Sequence, residues 1–176
     1  KDRKLEAAWL LAYGEIAAPA TEDSSSDSRS YLIAVVQSQL ANDEPQLYLL
    51  PLAAVWGSAG SELRQNLQAA TLAELRQSRR EGALVDAVAR DDFGLALFEA
   101  IQREANMPLR DTGGASGELR FRPTSLFAET PLPERLVARR LDAEQSNSSV
   151  LYEDYALLKL YRRLQPGPHP EVEMSR

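Results

Sequence analysis

The sequence predicts an α+β fold in two parts: an antiparallel sheet with packed helices, followed by the first strands of a second domain. Three observations carry this. Lys4–Ile16, Tyr31–Leu40 and Leu47–Val55 are apolar stretches that read as consecutive strands. From Ser61 the apolar spacing lengthens to three and four, as in helices laid on a sheet. After Thr130-Pro131-Leu132-Pro133-Glu134, a linker stiffened by two prolines, strand-like patterning returns. The domain boundary is placed there, dividing the chain into 1–130 and 131–176.

Composition removes several function classes. The 176 residues can bury a core of their own. With 20 basic and 26 acidic residues the chain is acidic, and its bases are dispersed. Bulk attraction to nucleic acid or to an anionic membrane is therefore disfavoured, and any phosphate site must be local. Without cysteine there is no disulfide framework and no thiolate metal site. The single histidine, His169, argues against a zinc centre or a Ser-His-Asp triad. No apolar run approaches the ~18 residues of a membrane span, and no signal-peptide pattern opens the chain. The expectation is a cytoplasmic protein with neither nucleic acid nor membrane as partner.

Taken in order, Lys4–Ile16 fits neither period cleanly, but Gly14 and Ala17-Ala18-Pro19 would break a helix early, which favours a strand. Thr21–Ser30 is a Ser/Asp-rich loop. In Tyr31–Leu40, Leu32, Ala34, Val36 and Leu40 share one face. Asn42-Asp43-Glu44-Pro45 supplies a turn. Pro51 inside the next strand predicts an edge position or a bulge. Leu63, Leu67, Ala70, Leu72 and Leu75 suggest a helix or broken helix, and Gly82–Ala89 a short element. Asp91 or Asp92 can cap a clearer helix running to about Ala105, with Leu97, Phe98, Ile101 and Ala105 as one stripe. Asn106-Met107-Pro108 ends it. Gly113–Gly117 lacks the following helix and lysine of a nucleotide loop and reads as a turn. Glu118–Pro123 alternates as a strand, with Leu119 and Phe121 inward, and Arg135–Leu141 is a further strand.

The chemistry concentrates after that strand. Ser146-Asn147-Ser148-Ser149 is a small, polar loop offering hydroxyls and unhindered amides. Val150–Tyr152 and Tyr155–Tyr161 pair around a two-residue turn, Glu153-Asp154. The second strand carries Lys159; the only other lysines are Lys1 and Lys4. A period of two places Leu157, Lys159 and Tyr161 on one face and Ala156, Leu158 and Leu160 on the other. A lysine buried there would need an anion, a carboxylate or a phosphate, and Leu157 offers an apolar surface beside it. The plain alternative is a surface or edge lysine preceded by a serine-rich turn. Pro170 suits the first turn of a helix containing Glu171 and Glu173.

Ala143-Glu144-Gln145-Ser146-Asn147-Ser148-Ser149-Val150, Leu158-Lys159-Leu160-Tyr161-Arg162-Arg163-Leu164-Gln165-Pro166-Gly167 and Pro170-Glu171-Val172-Glu173 resemble bacterial maltokinase, including the kinase half of trehalose synthase–maltokinase fusions. Tyr48-Leu49-Leu50-Pro51-Leu52 and Gly117-Glu118-Leu119-Arg120-Phe121-Arg122-Pro123 resemble the family's N-terminal cap. The resemblance implies a cap domain over 1–130 and the start of a eukaryotic-kinase-like, aminoglycoside-phosphotransferase-like N-lobe over 131–176. It implies ATP and Mg2+ as cofactors of the parent protein, maltose as acceptor and maltose 1-phosphate as product. Ser146, Asn147, Ser148 and Ser149 then match the phosphate loop, Lys159 the phosphate-pairing lysine, Leu157 the surface over adenine, and Glu173, in preference to Glu171, the helix partner of the lysine. The catalytic loop and metal-binding aspartate are expected beyond Arg176, so no catalytic residue is assigned and the piece alone is expected to be inactive. The alternative is a non-catalytic module that docks the kinase to a trehalose synthase domain or second subunit.

Overall fold

The computed structural model describes residues 4–18, 30–56, 67–111, 116–131, 136–141 and 147–167. Its coarse architecture is the expected α+β one, mostly antiparallel sheet with few helices. Strands β1 (Leu5–Ala17), β2 (Ser30–Leu40) and β3 (Gln46–Trp56) form an antiparallel meander. A hairpin of β4 (Thr71–Gln77) and β5 (Arg80–Asp86) joins it at β3, and a hairpin of β6 (Asn106–Asp111) and β7 (Ser116–Arg120) joins it at β1. The order is β4-β5-β3-β2-β1-β6-β7. The second sheet has three strands, β8 (Ala138–Leu141), β9 (Asn147–Tyr152) and β10 (Ala156–Tyr161), in the order β10-β9-β8. One residue after β10, the short strand β11 (Arg163–Leu164) returns to pair with β3.

Helix α1 (Asp91–Gln102) lies between the two sheets. Phe93 meets Tyr31 of β2 edge-on, with ring centroids 5.0 Å apart. Gly94 faces the small sheet: a Cβ there would stand 2.8 Å from Val150 Cγ1 and 3.0 Å from Ala138 Cβ. The absence of a side chain lets the helix backbone approach closely enough for the Tyr152 hydroxyl to donate to the Gly94 carbonyl at 2.7 Å. Phe98 continues this side, packing on Tyr152, Tyr155 and Phe127 at 5.2, 5.9 and 5.1 Å between centroids. Such aromatic contacts add about 0.5–1.5 kcal/mol each beyond the area they bury. Phe127 belongs to α2 (Ser125–Glu129), a short helix the sequence pattern did not announce. Its N-terminus is capped by Thr124, whose hydroxyl accepts from the Phe127 amide. One buried cluster thus contains residues of both sheets, from Ile16 and Ile33 to Val150 and Tyr152.

Several expectations change. The helix proposed over Leu63–Leu75 is, where described, a 3-10 turn at Gln68–Ala70 followed by strand β4. The leucine spacing misled because its members do not share a face: Leu67 is buried while Leu72 is 58% exposed. Neither Asp91 nor Asp92 caps α1; Arg90 occupies the cap position without a side-chain cap bond, and Asp92 binds the Arg90 guanidinium instead. Asn106-Met107-Pro108 does more than end the helix, since it opens β6. The position expected for a domain boundary, near residue 131, lies between α2 and β8, and one buried cluster contains residues from both sides of it.

Pro51 was expected at an edge or bulge, yet β3 is an interior strand with β2 on one side and β5 and β11 on the other. On that second side, β5 pairs Leu52–Trp56 and β11 pairs Leu47 and Tyr48, with the Leu49 amide donating to the Arg162 carbonyl at 2.7 Å. Backbone amides alternate sides along a strand, so the Pro51 nitrogen points the same way as that of Leu49. It meets the gap between β5 and β11. A missing N–H removes no ladder bond there.

Substituting Gly94→Ala should lower stability by about 1–2 kcal/mol, because overpacking against Val150 and Ala138 outweighs the ~1 kcal/mol gain in helix propensity. Chemical denaturation would check the sign; a stabilised variant would mean that helix and small sheet are not in close contact.

Candidate functional site

The hairpin singled out in the sequence forms the edge and centre of the small sheet. Its register pairs Ala156 with Tyr152, Leu157 with Leu151, Leu158 with Val150, Lys159 with Ser149, Leu160 with Ser148 and Tyr161 with Asn147. The connection is therefore the three residues Glu153–Tyr155 rather than the two expected. Glu153 takes a left-handed φ of 46°, and the Tyr155 amide donates to the Tyr152 carbonyl at 2.9 Å. Glu153 thus takes a positive φ without the glycine or asparagine that hairpin turns favour at such positions.

Paired residues of an antiparallel ladder project to the same side, so the register assigns each side chain to a face. Tyr152 and Val150 are buried against α1, with Ala156 and Leu158 partly buried beside them, and Ser148 lies on this inner face. The outer face carries Leu157 and Lys159 on β10, and Leu151, Ser149 and Asn147 on β9. Strand β8 adds Arg139 opposite Leu151 and Leu141 opposite Ser149. The alternation foreseen for β10 is found: Leu157 and Lys159 are exposed. Leu157 is 50% accessible, comparable to other large apolar residues of the paired strands such as Leu5 and Leu72.

The predicted residues separate on this geometry. Leu157, Lys159, Ser149 and Asn147 come together on one face. Asn147, Ser148 and Ser149 stand in strand β9 rather than in the loop foreseen before Val150, their positions already committed to the ladder with β10. Ser148 turns away from Lys159: its buried hydroxyl accepts from Arg162 Nη2 at 2.9 Å and Nε at 3.1 Å. Ser146, Glu171 and Glu173 lie outside the described residues. Lys159 is exposed, and so does not bear the burial cost that first drew attention to it.

Two rows of different chemistry cross the face. Arg139, Leu151 and Leu157 make one; Leu141, Ser149 and Lys159 make the next. An apolar surface thus adjoins an ammonium and a hydroxyl, a combination able to hold a flat apolar group with an attached anion. A nucleotide fits these donors in part. Magnesium does not, because the face carries no carboxylate among the described strands. Among the described residues no group of three or more His, Cys, Asp or Glu is arranged to hold a metal ion. None of their helices is long and apolar enough to cross a membrane.

A concave surface among the described residues lies on the large sheet. An open groove of about 620 Å³ is lined by Asn106, Pro108, Gly117, Glu118 and Arg120 on the β6–β7 hairpin. Perturbed titratable groups are found around α1, on Tyr31, Arg90, Asp92 and Tyr152. Burial pushes the Tyr152 phenol up, and burial followed by the Asp92 carboxylate does the same to Tyr31. Arg90 grips Asp92 through two bonds, Nε to Oδ1 at 3.0 Å and Nη2 to Oδ2 at 2.6 Å, with its guanidinium 5.9 Å from the Tyr31 ring centre. The Tyr31 hydroxyl is buried nearby without a hydrogen bond of good geometry. For Asp92, burial alone would raise the carboxyl, but the bonds and charge of Arg90 outweigh it and hold the group below its ordinary value. This cluster fixes the start of α1 over β2, a structural task. No protein-family model matches the chain.

The Arg90–Asp92 pair gives the fold an acid-sensitive element. Because the folded-state value of Asp92 lies below the unfolded one, its contribution is fully present above about pH 4 and is lost as pH falls through the lower folded value. Asp92→Asn should cost about 1–3 kcal/mol at pH 7 and flatten the stability curve below pH 4. Urea titrations across pH would show both; an unchanged acid limb would assign the sensitivity to other carboxylates.

Proposed function

We propose that the outer face of the small sheet is the nucleotide-binding surface of a maltokinase-type sugar kinase, and that the chain comprises a cap followed by the opening strands of a kinase-like N-lobe. The observation that carries this reading is the register of the hairpin. It aligns Leu157 and Lys159 on one exposed face, with Leu151 and Ser149 directly opposite. An antiparallel β8-β9-β10 meander with the lysine on its third strand has the strand order in which a kinase lobe presents its phosphate-pairing lysine. In that reading, residues 142–146 join the first two strands where a phosphate loop belongs, so the expectation for Ser146 is retained.

ATP would lie with its base against Leu157 and Leu151 and its phosphates towards Lys159 and Ser149. ATP with Mg2+ supplies the transferable phosphoryl group when bound; the residues of this face bind and orient it. Ser148 is omitted from the proposed contacts because it serves the inner face. Glu173 remains the proposed carboxylate partner of Lys159. The acceptor is maltose, the product maltose 1-phosphate and the location cytoplasmic, all resting on the resemblance of the 143–173 motifs. Positioning and charge neutralisation are the two means by which such an enzyme works, and this chain supplies elements of the first.

A full-length parent incubated with ATP and maltose should form maltose 1-phosphate, and Lys159→Ala should reduce turnover at least about 100-fold with little change in melting temperature. Absence of product from the parent, or near wild-type turnover in the variant, would end the respective assignment.

A second reading makes the large sheet a docking module for a trehalose synthase domain or subunit. It draws on the start of β1, where Leu5, Trp9 and Leu10 are exposed. Co-purification of the chain with a synthase domain, weakened by Trp9→Ala, is the expected result; elution as separate species would count against it.

A further inference from the structure

The segment that follows Lys159 crosses from one sheet to the other within a single residue. Strand β10 ends at Tyr161 in the small sheet, and β11 begins at Arg163 beside β3 in the large one. Arg162 stands at the crossing. Its carbonyl accepts from the Leu49 amide of β3 at 2.7 Å. Its guanidinium donates to Asp86 Oδ2 at 2.7 Å and to the Ser148 hydroxyl at 2.9 and 3.1 Å.

Each partner of the guanidinium is itself fixed. Asp86 closes β5, and its other oxygen accepts from the Val88 amide at 3.0 Å, which holds the carboxylate in place at the start of a 3-10 turn. Ser148 is buried in β9, opposite Leu160 and adjacent to Ser149, the residue that faces Lys159. The side chains of Arg162 and Asp86 are 17% and 28% accessible, so the pair is screened less than a surface ion pair. Both strands beneath Lys159 are thereby tied through one cation to a carboxylate of the large sheet.

We infer that Asp86 and Arg162 are positioning residues for the Lys159 face: the Asp86–Arg162–Ser148 clamp sets the pose of the hairpin against the large sheet, so the nucleotide site depends on a cap residue that does not touch the ligand. This rests on the nucleotide-binding reading given above. Arginine suits the task because its planar fork bonds a carboxylate and a hydroxyl at once, which a lysine cannot reproduce with the same geometry.

The test is a titration of the full 176-residue chain with MgATP, followed by the backbone amide signals of Leu157 and Lys159. Asp86→Asn removes the charge while retaining an acceptor, and Ser148→Ala removes the second partner. Tyr152→Phe serves as the control, since it deletes the Gly94 bond and loosens the small sheet from α1 at another point. Asp86→Asn and Ser148→Ala should each weaken binding about tenfold, the change expected from losing one charge-assisted hydrogen bond. Tyr152→Phe, at equal or greater loss of melting temperature, should leave affinity within about twofold. Wild-type affinity in Asp86→Asn, or losses in all three variants that track melting temperature alone, would overturn the positioning role while leaving the nucleotide reading in place. A wild-type chain whose Leu157 and Lys159 signals do not respond to MgATP would instead overturn the nucleotide reading and the clamp's role with it.

Discussion

The architecture depends on one helix having two buried sides. Helix α1 has twelve residues, yet it must satisfy a large sheet through Phe93 and a small sheet through Gly94 and Phe98. A helix packed on one surface can shift by fractions of an ångström at modest cost; one held between two sheets cannot, because relief on one side is compression on the other. The Tyr152–Gly94 hydrogen bond makes this stricter still. It requires backbone within reach of a phenol, so the inter-sheet distance is fixed by atoms rather than by average packing density.

That constraint explains why the small sheet can leave a leucine and a lysine on its outer face. Its inner face is supplied with partners: Val150 and Tyr152 against α1, Tyr155 against the Phe98–Phe127 pair, and Ser148 against Arg162. A three-stranded sheet is marginal by itself, and three strands gain independent stability only with one well-buried face. With that requirement met on the inside, the outer residues are free to be chosen for something other than packing.

Most parts legible in the sequence were those with a clean period. Strands β2 and β3, helix α1 and the alternation of β10 were recovered from a period of two or a stripe, whereas β1 was recovered from the helix breakers Gly14 and Pro19. Elements whose residues serve two purposes were misread. Leu67, Leu72 and Leu75 share helical spacing by coincidence, since β4 is an edge strand that buries little and so imposes no pattern of its own. The serines before Val150 looked like a loop because small polar residues usually mark one, but Ser148 is polar in order to receive Arg162 across the core. Asp92 looked like a cap and is instead the counter-ion of its neighbour Arg90. In each case the deciding partner is distant in the fold or competes locally, information that spacing does not carry. The clustering of Leu157, Lys159 and Ser149 was half legible: the period gave the first two, and only the register gave the third.

Pro51 shows how a residue unsuited to a sheet can define one. Its nitrogen faces the interval between β5 and β11, so neither strand can extend along β3 past that point without setting a carbonyl opposite an amide that has no hydrogen. A slide of β5 along β3 meets the same obstacle. The proline therefore acts as a stop in the alignment of the sheet. It bounds the last rung of β5, on which Asp86 stands, and the first rung of β11, which Arg162 must reach. Where the chain changes sheets is decided by the one position in β3 that cannot donate a hydrogen bond.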